Sequence, residues 1–158
     1  MPDSILTSAE QTLLRELIAR GVRFMVVGMS AALMQGARGA TEDIDLWFEN
    51  VTDSRIGEAV KAAGGIWVSG SFGMGPPRIG GEELSERFDV VVHMSGLERF
   101  ATEFQHVRYE TVDGIDIPII PLNRVLVSKR AANRTKDRAQ LAAIEDALLL
   151  LEAAGERT

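Results

Sequence analysis

An α/β (α+β) fold, with a mixed sheet flanked by helices and a helical C-terminus, follows from three observations on this 158-residue chain. Strand-like apolar runs alternate with segments of helical spacing before the midpoint and beyond it. Asp113-Gly114 joins two strand-like runs, a strong hairpin signal because a type I′ turn needs positive φ at both central residues. Two helix-like segments close the chain, one opened by Pro121 and one carrying Leu141, Ile144, Leu148 and Leu151 on a single stripe.

Taken in order, Thr7 or Ser8 is a good N-cap, with Glu10 or Gln11 placed to complete a capping box. Leu13, Leu14, Leu17 and Ile18 then keep helical spacing up to Gly21, so the first helix covers about residues 8–20. Residues 22–27 form a short buried strand ending at Gly28, and residues 30–35 are helix-compatible until Gly36. Ile44, Leu46 and Phe48 alternate with Asp43, Asp45 and Trp47, which predicts a strand with one apolar and one acidic face. Asp53 or Ser54 caps a helix carrying Ile56, Ala59, Val60 and Ala63, and residues 66–69 make a brief strand. Residues 70–81, rich in glycine and holding Pro76-Pro77, read as a loop, either a surface connector or an active-site flap. Phe88, Val90 and Val92 share one side of the next strand, with Asp89 on the other. Residues 96–104 read as a short helix, and residues 107–112 and 115–119 as the two hairpin strands. The helix opened by Pro121 runs to about Asn133, and Thr135 caps the last one.

Residues 1–158 are expected to form one domain, since this length holds one sizeable core. No apolar run approaches the roughly 18 residues that span a bilayer. No basic-then-apolar leader opens the chain, and it has no cysteine. A cytoplasmic protein is therefore expected. A net charge of −6 argues against a general nucleic-acid binder, which carries a basic surface. One basic window, with Arg124, Lys129, Arg130, Arg134, Lys136 and Arg138 opposed only by Asp137, suits a compact anionic ligand or is a solvated helix face.

The chemical signals lie in two stretches and one isolated residue. Val26-Val27-Gly28-Met29-Ser30-Ala31 ends a strand in a glycine-led turn and opens a helix, a place for phosphate on free backbone N–H groups. Asp43 and Asp45, spaced i and i+2 on a strand, project together. Close carboxylates repel unless a cation lies between them, and Mg²⁺ is the hard cation that takes oxygen ligands. Asp89 interrupts an apolar run of Phe88, Val90, Val91 and Val92. If its strand pairs beside residues 43–46, three carboxylates converge as a two-metal phosphoryl-transfer site requires. An Asp-x-Asp alone is a weak signal. In haloacid-dehalogenase-like phosphatases and many glycosyltransferases the pair follows an apolar strand, whereas here the apolar run comes after it. His93 and His106 are read as structural.

Val27-Gly28 through Asp43-Ile44-Asp45-Leu46 resembles the signature of the nucleotidyltransferase superfamily that includes DNA polymerase β. The chain is more closely similar to small bacterial members related to AbiEii-like toxins of toxin–antitoxin pairs. The features that carry this are Thr41, the pair Asp43 and Asp45, Asp89, Asp113-Gly114 with Pro118, Lys129, and Arg134-Thr135-Lys136-Asp137. The resemblance runs over residues 22–141. Met29 departs from it, standing where a second glycine or serine is usual, which predicts a crowded phosphate turn. Gly39 stands where an arginine is frequent, and Gln140 where an aspartate often follows.

The resemblance implies a nucleotidyltransferase-like fold and Mg²⁺-dependent transfer of a nucleoside monophosphate from a nucleoside triphosphate (NTP) to an acceptor hydroxyl. Asp43, Asp45 and Asp89 would be both catalytic and metal-binding, in a two-metal site. Lys129 would neutralise charge on the phosphates, and Gly28, Met29, Ser30 and Lys136 would hold the triphosphate. A toxin would use tRNA or protein as acceptor and pair with an antitoxin protein. The alternatives are an aminoglycoside-like small-molecule acceptor, whose cationic character suits an acidic protein, and a non-catalytic nucleotide-binding module.

Overall fold

Four consecutive apolar residues form β1 (Phe24–Val27), and their burial on both faces places the strand at the centre of the sheet. The chain reaches it from α1 (Ser8–Ala19). Thr7 and Glu10 cap that helix reciprocally, and Leu13, Leu14 and Leu17 are its fully buried stripe. The structure, a computed structural model, describes residues 4–70 and 75–156. After β1 come α2 (Gly28–Met34), β2 (Ile44–Phe48), α3 (Ser54–Ala62), β3 (Ile66–Val68), β4 (Arg78–Gly80) and β5 (Phe88–Val91). Then follow α4 (Phe100–Glu103), extended by one 3₁₀ turn, β6 (Arg108–Val112), β7 (Ile115–Ile119), α5 (Leu122–Ala132) and α6 (Thr135–Glu156).

The main sheet has the order β5-β2-β1-β7-β6. It is mixed: β1 runs antiparallel to β2 and parallel to β7, while β2 and β5 are parallel. The β6–β7 hairpin closes as its sequence predicts, with φ of 50° at Asp113 and 76° at Gly114. The Asp113 carboxylate also accepts the Ile5 and Leu6 N–H groups, so the turn anchors the start of the chain. α1 packs on α3, and α5 packs on both α2 and α6. One core cluster joins all of these, and each fully buried leucine or isoleucine in it contributes about 1.5–3 kcal/mol. No helix among the described residues is long and apolar enough to cross a membrane.

Four expectations are corrected. Residues 70–81 are not all loop: Arg78–Gly80 is a strand paired antiparallel to β3, because Ile79 is drawn into the core opposite Trp67. Residues 71–74 of that stretch lie outside the described residues. Val92 is past the end of β5 and exposed. Of the helix expected over residues 96–104, only Phe100–Glu103 is α-helical. Thr135 is the first residue of α6 rather than its cap; the Arg134 N–H is instead accepted by Asp137 from within the first turn, at 3.0 Å.

Candidate active site

The parallel register of β2 and β5 sets Asp45 directly beside Asp89. Asp43 lies one residue ahead of β2, with its carboxyl within hydrogen-bond reach of Asp89. Burial first, then the charge of Asp89 and to a lesser degree Asp43, pushes the Asp45 carboxyl from 3.8 up to about 6. Lys129 and Lys136 oppose that rise. Asp89 is also raised, by burial and then by Asp43.

The entry to both strands is clamped from α1. The Ile44 N–H donates to the Arg87 carbonyl at 2.6 Å, and the Arg87 guanidinium donates to the Glu42 carbonyl at 3.0 Å. The same guanidinium is held at 3.3 Å by Glu10, a buried carboxylate that also completes the α1 capping box.

Gly28 carries the turn from β1 into α2 at φ 64°, a left-handed conformation that suits glycine. A Cβ at this position would run into Oδ2 of Asp45. Gly28→Ala is therefore expected to destabilise the protein by at least about 1–2 kcal/mol on conformational grounds. It should also displace Asp45; urea denaturation reads the first effect and Mg²⁺ titration the second. The crowding expected from Met29 does not occur, because its side chain is buried and reaches Gly39 instead of the cavity. The Ser30 hydroxyl is buried too. It donates to the Val27 carbonyl at 2.8 Å and accepts the Asp45 N–H at 3.1 Å, pinning the turn to β2.

Lys129 projects from α5 with its side chain 10% exposed, and its Nζ lies 3.1 Å from Oδ1 of Asp137. Asp137 is fully buried and also takes two guanidinium bonds from Arg134, at 2.7 and 3.1 Å. Burial alone would raise its carboxyl, but the hydrogen bonds from Arg134 and Lys129 outweigh that and bring it down to about 2. α5 is held in place by Gln35, whose amide donates to the Ala31 and Ile120 carbonyls and accepts the Leu122 N–H. Lys136 is exposed and makes no ion pair among the described residues.

Gly28, Asp45, Asp89, Lys129 and Lys136 line one cavity of about 1040 Å³. Its size is at the upper end of ligand pockets. Asp43 adjoins it through Asp89, while the side chains of Met29 and Ser30 turn into the protein. His93, expected to be structural, lies exposed at the cavity wall, and His106 is away from it. Sequence reasoning missed Arg87, Gln35 and the anchoring role of Asp137. Only Asp137, three residues after the α6 cap position, carried a local signal.

Among the described residues, no three His, Asp or Glu side chains form a ready-made metal cluster. The donor set nevertheless fits a hard cation: all three groups offer oxygen, and two of them are raised, by burial first and then by a neighbouring carboxylate's charge. Mg²⁺ is commonly held by one or two carboxylates together with a substrate's phosphates.

No family model matches the chain, and no curated protein matches its sequence. Solved structures match its shape. The crystal structure of ANT(2″)-Ia in complex with adenylyl-2″-tobramycin aligns over 93% of this chain and 95% of that one, with a TM-score of 0.57 and 15% identity. The fold is nucleotidyltransferase-like. A solution structure of ANT(2″)-Ia, described as an antibiotic-resistance factor with substrate-regulated conformation dynamics, gives a TM-score of 0.53 over 96% and 97% of the two chains, at 13% identity.

Proposed function

We propose that this protein is a Mg²⁺-dependent nucleotidyltransferase that moves a nucleoside monophosphate from an NTP to a hydroxyl of a small-molecule acceptor. The observation that carries the reading is the Asp45–Asp89 register, with Asp43 alongside, facing Lys129 and Lys136 across one cavity. The three aspartates would hold Mg²⁺, which when bound supplies charge neutralisation at the phosphate oxygens. In the transfer, the acceptor oxygen bonds to the α-phosphorus while the bond from that phosphorus to the bridging oxygen breaks and diphosphate leaves. In this reading Asp89 would help the acceptor hydroxyl lose its proton through the metal that it would hold. Lys129 and Lys136 balance charge on the departing phosphates. The first-turn amides of α2, at Gly28, Met29 and Ser30, would receive the triphosphate.

A small acceptor is supported by the neighbour ANT(2″)-Ia, which was solved with an adenylylated tobramycin. The AbiEii-like branch, a tRNA or protein acceptor and an antitoxin partner rest on the sequence resemblance alone. A non-catalytic module is disfavoured by the intact set of three carboxylates. The test is to incubate the protein with each labelled NTP, Mg²⁺ and separate pools of hydroxyl compounds, total tRNA and lysate protein. Label should enter the small-molecule pool with release of diphosphate, and EDTA or Asp43→Asn should stop it. Transfer that survives Asp43→Asn would overturn the assignment.

A further inference from the structure

Resting on that reading, we propose that the acceptor subsite is the inner face of the β3–β4 hairpin. The acceptor that fits it is a small hydroxyl compound with an apolar body and one acidic group, held by Arg78, rather than a polyamine.

The hairpin has two unlike faces. Its register pairs Ile66 with Gly80, Trp67 with Ile79 and Val68 with Arg78. Alternation therefore sends Trp67 and Ile79 one way and Ile66, Val68 and Arg78 the other. The first face is core: Ile79 is buried, and Trp67 meets Phe48 edge-on at 6.1 Å. The second face lines the cavity shared with Asp45 and Asp89, continued by Pro76 and Pro77, and Ile79 and Gly80 also reach its edge. Ile66 on that face is 63% exposed. One exposed isoleucine is ordinary, but an apolar patch inside the concavity that holds the carboxylates marks a binding wall.

Charge decides what the wall takes. Among the described residues the cavity is lined by three carboxylates, Asp45, Asp89 and Asp137. The first two belong to the paired site, and the third is saturated by Lys129 and Arg134. None is left to receive an acceptor's ammonium groups. The cations lining the same cavity are Arg78, Lys129, Arg134 and Lys136. With Asp137 set against Lys129 and Arg134, the cations left are Arg78 and Lys136 and the carboxylates left are the Asp45–Asp89 pair assigned to the metal, so a polycation would meet two cations and no carboxylate left for it. Arg78 is exposed, and among the described residues its side chain makes no hydrogen bond or ion pair. Its planar fork matches a carboxylate or a phosphate. It also stands on the hairpin, apart from the α5–α6 cations that act on Asp45. An RNA end would bring anionic groups too, but a nucleic-acid backbone needs an extended basic track, which an acidic chain with so local a basic window does not offer.

The experiment uses matched hydroxyl compounds on one aromatic ring, 4-(2-hydroxyethyl)benzoate and 4-(2-hydroxyethyl)benzylamine, with tobramycin as the polyamine. Binding is titrated without nucleotide, and transfer is measured with Mg²⁺ and NTP. The benzoate should bind about tenfold tighter than the benzylamine. Arg78→Glu, at an exposed position, should reverse that order without changing the melting temperature, and Ile66→Ser should weaken both compounds. Tighter binding of the benzylamine or tobramycin, an unchanged order in Arg78→Glu, or label transfer to tRNA alone would overturn the inference. So would a rise in KM for the NTP with none for the acceptor, which would make the wall a nucleotide site. Arg78-dependent benzoate binding without transfer would keep the subsite and remove the enzyme reading. Transfer favouring the amine would do the reverse.

Discussion

Asp45→Asn is expected to stabilise the protein in EDTA at neutral pH and to abolish the proposed nucleotidyl transfer. Asp45 sits partly buried beside Asp89, with Asp43 close by, and its carboxyl is raised from 3.8 to about 6. A raised carboxyl binds its proton more tightly in the folded state, so its contribution to stability is fully present below pH 3.8. That contribution is lost as pH rises through about 6. Above that point the ionised group costs on the order of 3 kcal/mol, which asparagine removes at nearly constant shape. Urea denaturation in EDTA should show the variant more stable at pH 7.5 and the difference vanishing near pH 3.5. Saturating Mg²⁺ should stabilise the wild type more than the variant. A variant no more stable than wild type in EDTA, or one that still transfers label, would sink this account. Such an exchange of stability for a charged cluster is common where a site must receive a cation.

Asp137→Ala should have the opposite effect and a larger one. It leaves Lys129, which is nearly buried, without its partner, and strips the first turn of α6 of the acceptor for the Arg134 N–H. Removing one member of a buried ion pair costs about 3–5 kcal/mol. The sign with pH is the reverse of that for Asp45. The Asp137 carboxyl is depressed to about 2, so its stabilisation is present above pH 3.8 and lost as pH falls through about 2. The deficit of the alanine variant in denaturant should be full at pH 7 and shrink only at strongly acid pH. Asp137→Asn keeps acceptor capacity for Arg134 and should cost less. Equal stability of the alanine variant and the wild type at pH 7 would show that Lys129 is not held in this way.

How much of this was legible depended on the range of each signal. The α1 capping box, the Asp113-Gly114 turn and the apolar stripe of the last helix are written within a few residues, and each formed as expected. The pair Asp43 and Asp45 was visible through spacing, and Asp89 through its misfit in an apolar run. Their meeting was only conditional until β5 was seen beside β2. β4 was hidden because proline and glycine surround three residues whose pairing depends on the burial of Ile79. Met29 looked like an obstruction because nothing local says that its side chain turns toward Gly39. Arg87 with Glu10, and Gln35 with Leu122, span 77 and 87 residues, so no window of sequence contains either bond.

By itself, then, the sequence determined most of the elements and their order, β4 apart, together with the hairpin turn and the identity of the carboxylates, because capping, turn chemistry and periodicity act between near neighbours. Only the tertiary structure decided that Asp45 faces Asp89, that Lys129 is tied to Asp137, and that the hairpin turns an acid-free wall toward the same cavity. Those facts depend on strand order and register, which are settled by the packing of the whole core rather than by any one stretch of it.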